Sequence, residues 1–149
     1  MIRPAIPEDM PAIVDIWRRA SRLAHPFLDE DAWAARAEEM TRQCLPDCRI
    51  QVLDAGGRVV GFAAMRGEHL EALFVDPKAQ GYGHGSELMA HVMALSERIT
   101  LRVLSRNVRA VSFYRRLGFH AYLETEDSAS GEPETLMIWT RRRSGRGRA

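Results

Sequence analysis

Residues 75–88, VDPKAQGYGHGSEL, set Gly81, Gly83 and Gly85 at alternating positions directly between a strand-like run and a helix-like run. Three residues without side chains in such close order suit neither a strand nor a helix interior, so the chain must turn there and restart as a helix. Such a turn lets successive backbone N–H groups converge on one anion at the helix N-terminus, whose partial positive charge reinforces the hydrogen bonds. In outline it is a phosphate cradle. The spacing is not GxGxxG and no Gly-Lys-Ser/Thr follows, so the segment is neither a dinucleotide fingerprint nor a P-loop. A Gly-rich tight turn that holds no ligand is the competing reading.

The flanking runs define the class of fold. Residues 1–4 read as a short edge strand, and Pro4 and Pro7 delay helix until Glu8 and Asp9 supply acidic residues near its positive end. Met10, Ile13, Val14, Trp17 and Ala20 then recur at helical spacing to about Leu23, where His25-Pro26 breaks the run. Asp29 or Asp31 caps a second helix whose apolar stripe is Trp33, Ala37, Met40 and Cys44, ended by Pro46. RIQVLD (49–54) and RVVGFAAMR (58–66), joined by Ala55-Gly56-Gly57, lead with HLEALFV (69–75) into an antiparallel meander. Helix 84–96 and strand 99–105 complete a βαβ unit with strand 69–75. Val108, Val111, Tyr114 and Leu117 mark a fourth helix closed by Gly118, and residues 119–126 pair with 135–140. The expected class is α+β in three layers, a mixed but mostly antiparallel sheet with helices on both faces. Strict alternation places His69, Glu71, Leu73 and Val75 on one face of their strand, and Leu70, Ala72 and Phe74 on the other.

A chain of 149 residues, 46% hydrophobic and 28% charged, can bury one core unaided and has no room for two ordinary domains. Its formal charge of +1 conceals a division, because RRRSGRGRA at 141–149 holds five arginines and no acid. Residues 1–140 keep 16 basic against 20 acidic residues, a net of −4. Nucleic-acid binding needs a basic field over a folded surface, and none is expected here. The tail is either a solvated, disordered terminus or a small binding segment. Cys44 and Cys48 have neither redox nor zinc-ligand spacing and read as reduced thiols, so no metal is expected. With no apolar run of signal or membrane-spanning length, the expected address is a reducing cytoplasm, away from membranes.

Two separated motifs carry a family resemblance. Gln80-x-x-Gly83-x-Gly85 resembles the Q/R-x-x-G-x-G/A signature of the GCN5-related N-acetyltransferases (GNAT), and Asn107-x-x-Ala110-x-x-Phe113-Tyr114-x-x-Leu117-Gly118-Phe119 is similar to that family's second signature. The likeness spans residues 1–140, read as one acyltransferase domain. WRRASRLAHPFL and GEHLEALFVDP look more specifically like the small bacterial YjaB-like acetyltransferases. The resemblance implies a twisted sheet of six to seven strands with a splayed parallel pair. It also implies acetyl-CoA (coenzyme A) as co-substrate and transfer of its acetyl group to a primary amine of a small molecule or peptide by direct attack in a ternary complex. A non-catalytic coenzyme A-binding regulatory module is the alternative, and the protein is expected to be a monomer or homodimer.

The same resemblance assigns residues. Leu73, Phe74 and Val75 would lie along the pantetheine arm, with a backbone N–H at Leu73 or Phe74 facing the oxyanion. Gln80, Gly81, Tyr82, Gly83, His84, Gly85 and Ser86 would hold the pyrophosphate; Gln80 stands where many relatives carry Arg, which leaves more of the anion binding to backbone. Asn107, Ala110, Phe113 and Tyr114 would complete the cofactor wall, Asn107 either bonding the arm or simply capping its helix. Tyr114 is either the acid that protonates the departing thiolate or a packing residue. For the general base Glu71 comes first and His69 second, with proton loss through water as the third course. Acceptor recognition falls to the first two helices and the 127–133 turn, with Trp17, Ser21, His25 and Phe27 as candidates. Trp17 also fits the core, and His25 is expected to be the exposed member.

Overall fold

The structure, a computed structural model, describes residues 1–141; of the basic tail expected over 141–149, only Arg141 lies among the described residues. One seven-stranded sheet runs in the order β1 (Ile2–Pro4), β2 (Arg49–Ala55), β3 (Arg58–Arg66), β4 (His69–Val75), β5 (Arg98–Leu104), β7 (Pro133–Thr140), β6 (His120–Glu126). Every neighbouring pair is antiparallel except β4 with β5. Helices α1 (Met10–Ala24) and α2 (Glu30–Glu39) cover one face, where Ile13, Ile16, Trp17 and Ala37 pack on Val52, Phe62, Ala64 and Ala72. Helices α3 (His84–Ala94) and α4 (Val108–Arg116) cover the other, with Leu88, Met89, Val92 and Tyr114 against Leu53, Ala63, Leu70, Leu101 and Met137.

Helix starts follow their caps. Asp29 Oδ1 accepts the Ala32 N–H at 2.8 Å, and Asn107 Oδ1 accepts the Ala110 N–H at 3.3 Å. The second helix stops short of the expected stripe. Thr41 Oγ1 donates to the Ala37 carbonyl at 2.8 Å, and the chain widens into a π-helical turn over Met40–Cys44. Among the described residues no helix is long and apolar enough to cross a membrane.

The alternation expected along β4 fails, for an identifiable reason. Ala64 faces Ala72 while the next residue, Met65, faces Leu70, so Glu71 is an extra residue on β4. This bulge sends Leu70 into the core under α3 and α4, and Ala72, two residues on, into the core under α1 and α2. The ladder between β4 and β5 contains only His69↔Thr100 and Leu70↔Leu101 and ends beside the bulge. The strands part beyond it. Asp76 N–H donates to the Val60 carbonyl at 2.7 Å; counted back along the antiparallel ladder, the N–H and C=O of Leu73 and Val75 face away from β3, into the gap.

Candidate active site

The parted strands open a cleft of about 780 Å³. One wall is Leu73, Phe74 and Val75 of β4, one end is the loop from Gln80 to Ser86, and the facing wall is Asn107, Ala110, Phe113 and Tyr114. Gly81 (φ +90°) and Gly83 (φ +82°) hold the loop in a left-handed conformation, and Gly83 caps α3. At Gly85 an added Cβ would meet Phe113 only at 3.7 Å, ordinary contact distance, so what the missing side chain leaves free is the cleft itself. The Gln80 amide donates to the Val75 carbonyl at 3.1 Å and ties the loop to the strand end. Asp76, buried at the root of the loop, receives both Arg19 Nη atoms at 2.9 and 3.0 Å and the Lys78 N–H at 2.9 Å. The Arg19 guanidinium holds the Asp76 carboxyl well below the usual carboxylate range.

The cleft does not end in the sheet. Leu73, Phe74, Asn107, Ala110 and Tyr114 also line a narrow throat of about 80 Å³, which continues past Trp17, His25 and Glu71. Arg36, Met40, Leu70, Glu71 and Arg102 are shared in turn between this throat and a basin of about 490 Å³. The basin is walled by α2 residues, by His69 and by Glu126, Asp127 and Glu134 of the β6–β7 hairpin. Three cavities therefore adjoin across the splay, and the outer two differ in charge. No carboxylate lines the cleft, whose charged residues are Arg106, Arg109 and Arg116. Five carboxylates against three guanidiniums line the basin. Arg36 pairs with Asp127 at 3.2 Å, Arg66 stands 3.7 Å from Glu71, and Arg102 stands 3.8 Å from Glu134. Burial and the nearby Asp127 push the Glu134 carboxyl up.

Tyr114 is buried where cleft and throat meet, and burial raises its phenol well above the ordinary range, so it carries its proton throughout neutral pH. Glu71 belongs to both throat and basin, whereas His69 lines the basin alone, its Nδ1 2.9 Å from Thr100 Oγ1. Burial lowers the His69 pKa against the pull of Glu71.

The structure brings together most of the residues expected from sequence and separates the rest. Leu73, Phe74, Val75, Gln80, Gly81, Gly83, His84, Gly85, Ser86, Asn107, Ala110, Phe113 and Tyr114 all line the cleft, whereas Tyr82 does not and is 76% exposed. Asn107 makes its helix cap and lines both cleft and throat. Of the acceptor candidates, Trp17 is core that also edges the throat, Ser21 is buried, and Phe27 lines the cleft. His25, expected exposed, is 4% exposed in the throat wall, with Nδ1 3.3 Å from Ser21 Oγ and its ring edge-on to Phe27. Sequence reasoning missed Arg106, Arg109 and Arg116, although the last two share a helix face with Phe113 at readable spacing. It also missed Arg36, Arg102 and Glu134, whose convergence depends on pairing across the sheet. Among the described residues no group of three or more His, Cys, Asp or Glu could hold a metal ion.

A family model described as an acetyltransferase (GNAT) domain matches residues 17–141. The chain belongs to the GNAT acetyltransferase family. It is an N-acetyltransferase. The peptidyl-lysine N-acetyltransferase YjaB of Salmonella typhimurium is 34% identical to this GNAT enzyme over 137 residues, 91% of this chain and 94% of the relative. The peptidyl-lysine N-acetyltransferase YiaC of Escherichia coli is 31% identical, covering 93% of this chain and 96% of the relative. The solution structure of apo YjaB from Escherichia coli superposes with a TM-score of 0.80 at 29% identity, over 93% of this chain and 95% of that one. The PaiA N-acetyltransferase of Thermoplasma acidophilum, solved in complex with coenzyme A, matches in fold with a TM-score of 0.78 at 16% identity, over 95% and 98% of the two chains.

Proposed function

We propose that this enzyme acetylates the side-chain amine of a lysine presented by a peptide or protein, with acetyl-CoA in the cleft as donor. The observation that carries the reading is the adjacency of an acid-free cleft and an acid-rich basin, each sharing wall residues with a small cavity between them that has room for little more than the reacting groups. A lysine side chain is a long apolar stem ending in a cation, the shape and charge that a small cavity beside an acidic basin admits.

In this reading the pyrophosphate lies on the backbone N–H groups of the loop at Gly81–Gly85 and the N-terminus of α3. The pantetheine amides pair with the Leu73 carbonyl and the Val75 N–H, which face the gap, as an added strand would. The thioester then sits in the throat. Glu71, at the junction of throat and basin, receives the proton of the incoming ammonium, directly or through water. The free amine attacks the thioester carbon, and the Leu73 N–H faces the developing oxyanion. The carbon–sulfur bond breaks, Tyr114 gives its proton to the departing thiolate, and the second amine proton, shed as the amide forms, passes through water to the phenolate and restores it. His69 stands behind Glu71 and orients or relays.

The test offers the enzyme acetyl-CoA with a peptide carrying one internal lysine and a blocked N-terminus, the same peptide with that lysine replaced, a peptide with only a free N-terminus, and a polyamine. Thiol release and a mass gain of one acetyl group on the lysine peptide alone are expected. Release with the polyamine and none with the lysine peptide overturns the assignment.

A further inference from the structure

We propose that Arg109 and Arg116 of α4 form a recognition site for the 3′-phosphate on the ribose of coenzyme A, so that the enzyme tells coenzyme A from its 3′-dephospho form. The inference rests on the cleft being the coenzyme site.

Both arginines line the cleft, both are exposed, and among the described residues neither has a carboxylate partner. The third arginine of the wall is already engaged: Arg106 lies over the Phe27 ring at 4.8 Å and pairs with Glu132 at 3.3 Å. Two exposed guanidiniums without carboxylate partners on an acid-free cleft leave their charge and their donors to an incoming anion.

Their placement relative to the cradle selects which anion. Arg109 precedes Phe113 by four residues and Arg116 follows it by three, so the pair straddles Phe113 on one face of α4. Phe113 is the α4 residue that abuts Gly85, its ring lying 3.7 Å from where a Cβ would stand. The arginines therefore flank the α4 residue that abuts the glycine loop. That loop already offers the pyrophosphate a set of backbone N–H groups and a helix terminus. Gln80 adds no charge to it and is spent on the Val75 carbonyl. The anionic group of the coenzyme left without a partner is the phosphate monoester on the ribose. At neutral pH it carries close to two negative charges, which suit bidentate guanidinium contacts.

The experiment measures binding of coenzyme A and of 3′-dephospho-coenzyme A by calorimetry, for the wild type, Arg109→Ala/Arg116→Ala and the control Arg115→Ala, whose side chain is on the same helix and outside the cleft lining. The wild type is expected to prefer coenzyme A about tenfold, a preference that shrinks as salt is raised because the pair is exposed. The double variant should bind coenzyme A about tenfold more weakly, bind the dephospho form within about twofold of wild type, and so lose the preference, while Arg115→Ala keeps it. Equal binding of the two ligands by the wild type overturns the proposal and leaves the acetyl-CoA reading standing. Equal weakening of both ligands in the double variant also overturns it and moves the arginines to the pyrophosphate. Binding of neither ligand to the wild type brings down the coenzyme site itself.

Discussion

Protonating His25 should destabilise this fold, and the structure sets the size of the effect. The ring is 4% exposed, and burial, with the Arg36 guanidinium nearby, lowers its pKa from 6.5 to about 4, against a weaker opposing pull from Asp127. A histidine depressed in the folded state stays neutral there while the unfolded chain takes up a proton, so the unfolded state binds more protons between these two values. Stability is therefore complete above pH 6.5 and falls with pH down to about 4. Carried to about pH 5, linkage gives a loss of about 2 kcal/mol from this one group relative to about pH 7.5. Other groups titrate in the same window: lowered His69 adds to the loss and raised Glu134 opposes it. A comparison with His25→Asn isolates the term, since Asn can still meet Ser21 Oγ and takes up no proton. Urea unfolding at both pH values should show the wild type losing about 2 kcal/mol more than the variant, whatever constant offset the smaller side chain introduces at both. Equal losses in the two proteins would refute a neutral buried His25 in the throat wall.

Tyr114→Phe should lower turnover by one to two orders of magnitude with coenzyme A affinity nearly unchanged; stopped-flow thiol release beside calorimetry separates the two, and unchanged turnover removes the acid role. Glu71→Gln should abolish the acidic limb of the pH–rate profile, while His69→Asn lowers the rate and keeps the limb; the reverse pattern moves the base to His69. Gly83→Ala should cost about 1–2 kcal/mol from the backbone alone, because no atom lies within 4 Å of the new Cβ and φ is +82°. Thermal melting reads that loss, and weakened coenzyme binding in the same variant ties the left-handed turn to the cradle.

The glycine crossover, the meander before it and the capped helices were legible because each rests on local chemistry: φ freedom at Gly81 and Gly83, side-chain caps at Asp29 and Asn107, apolar spacing along α1 and α4. The bulge at Glu71 was not, since a bulge is a relation between two strands and leaves no mark on period-two hydropathy within one. The error about His25 has the same origin. Its neighbours in sequence are Ala24 and Pro26, at a helix end where exposure is the ordinary outcome, yet the throat closes over it with Trp17, Arg36 and Leu73 drawn from three separate elements. The basin's walls on the second helix and the 127–133 turn were legible as segments, because loop position indicates a rim. Which side chains converge there was not, because Arg36–Asp127 and Arg102–Glu134 join residues 91 and 32 positions apart.

The bulge lies where throat and basin adjoin. Placed where the β4–β5 ladder stops, it opens the gap on the cleft side and, in the same step, sets Glu71 in the wall that throat and basin share. Without the extra residue the alternation would continue. Leu70 and Ala72 would then share one face, and the two cores could not both be filled from this strand. One inserted residue thus divides the hydrophobic packing between two faces, separates two strands, and sets a carboxylate in the wall of the throat that a buried phenol also lines. In the proposed reaction Glu71 serves the amine and Tyr114 the thiolate at a single narrow opening that both residues line, the arrangement that direct transfer between two bound substrates requires.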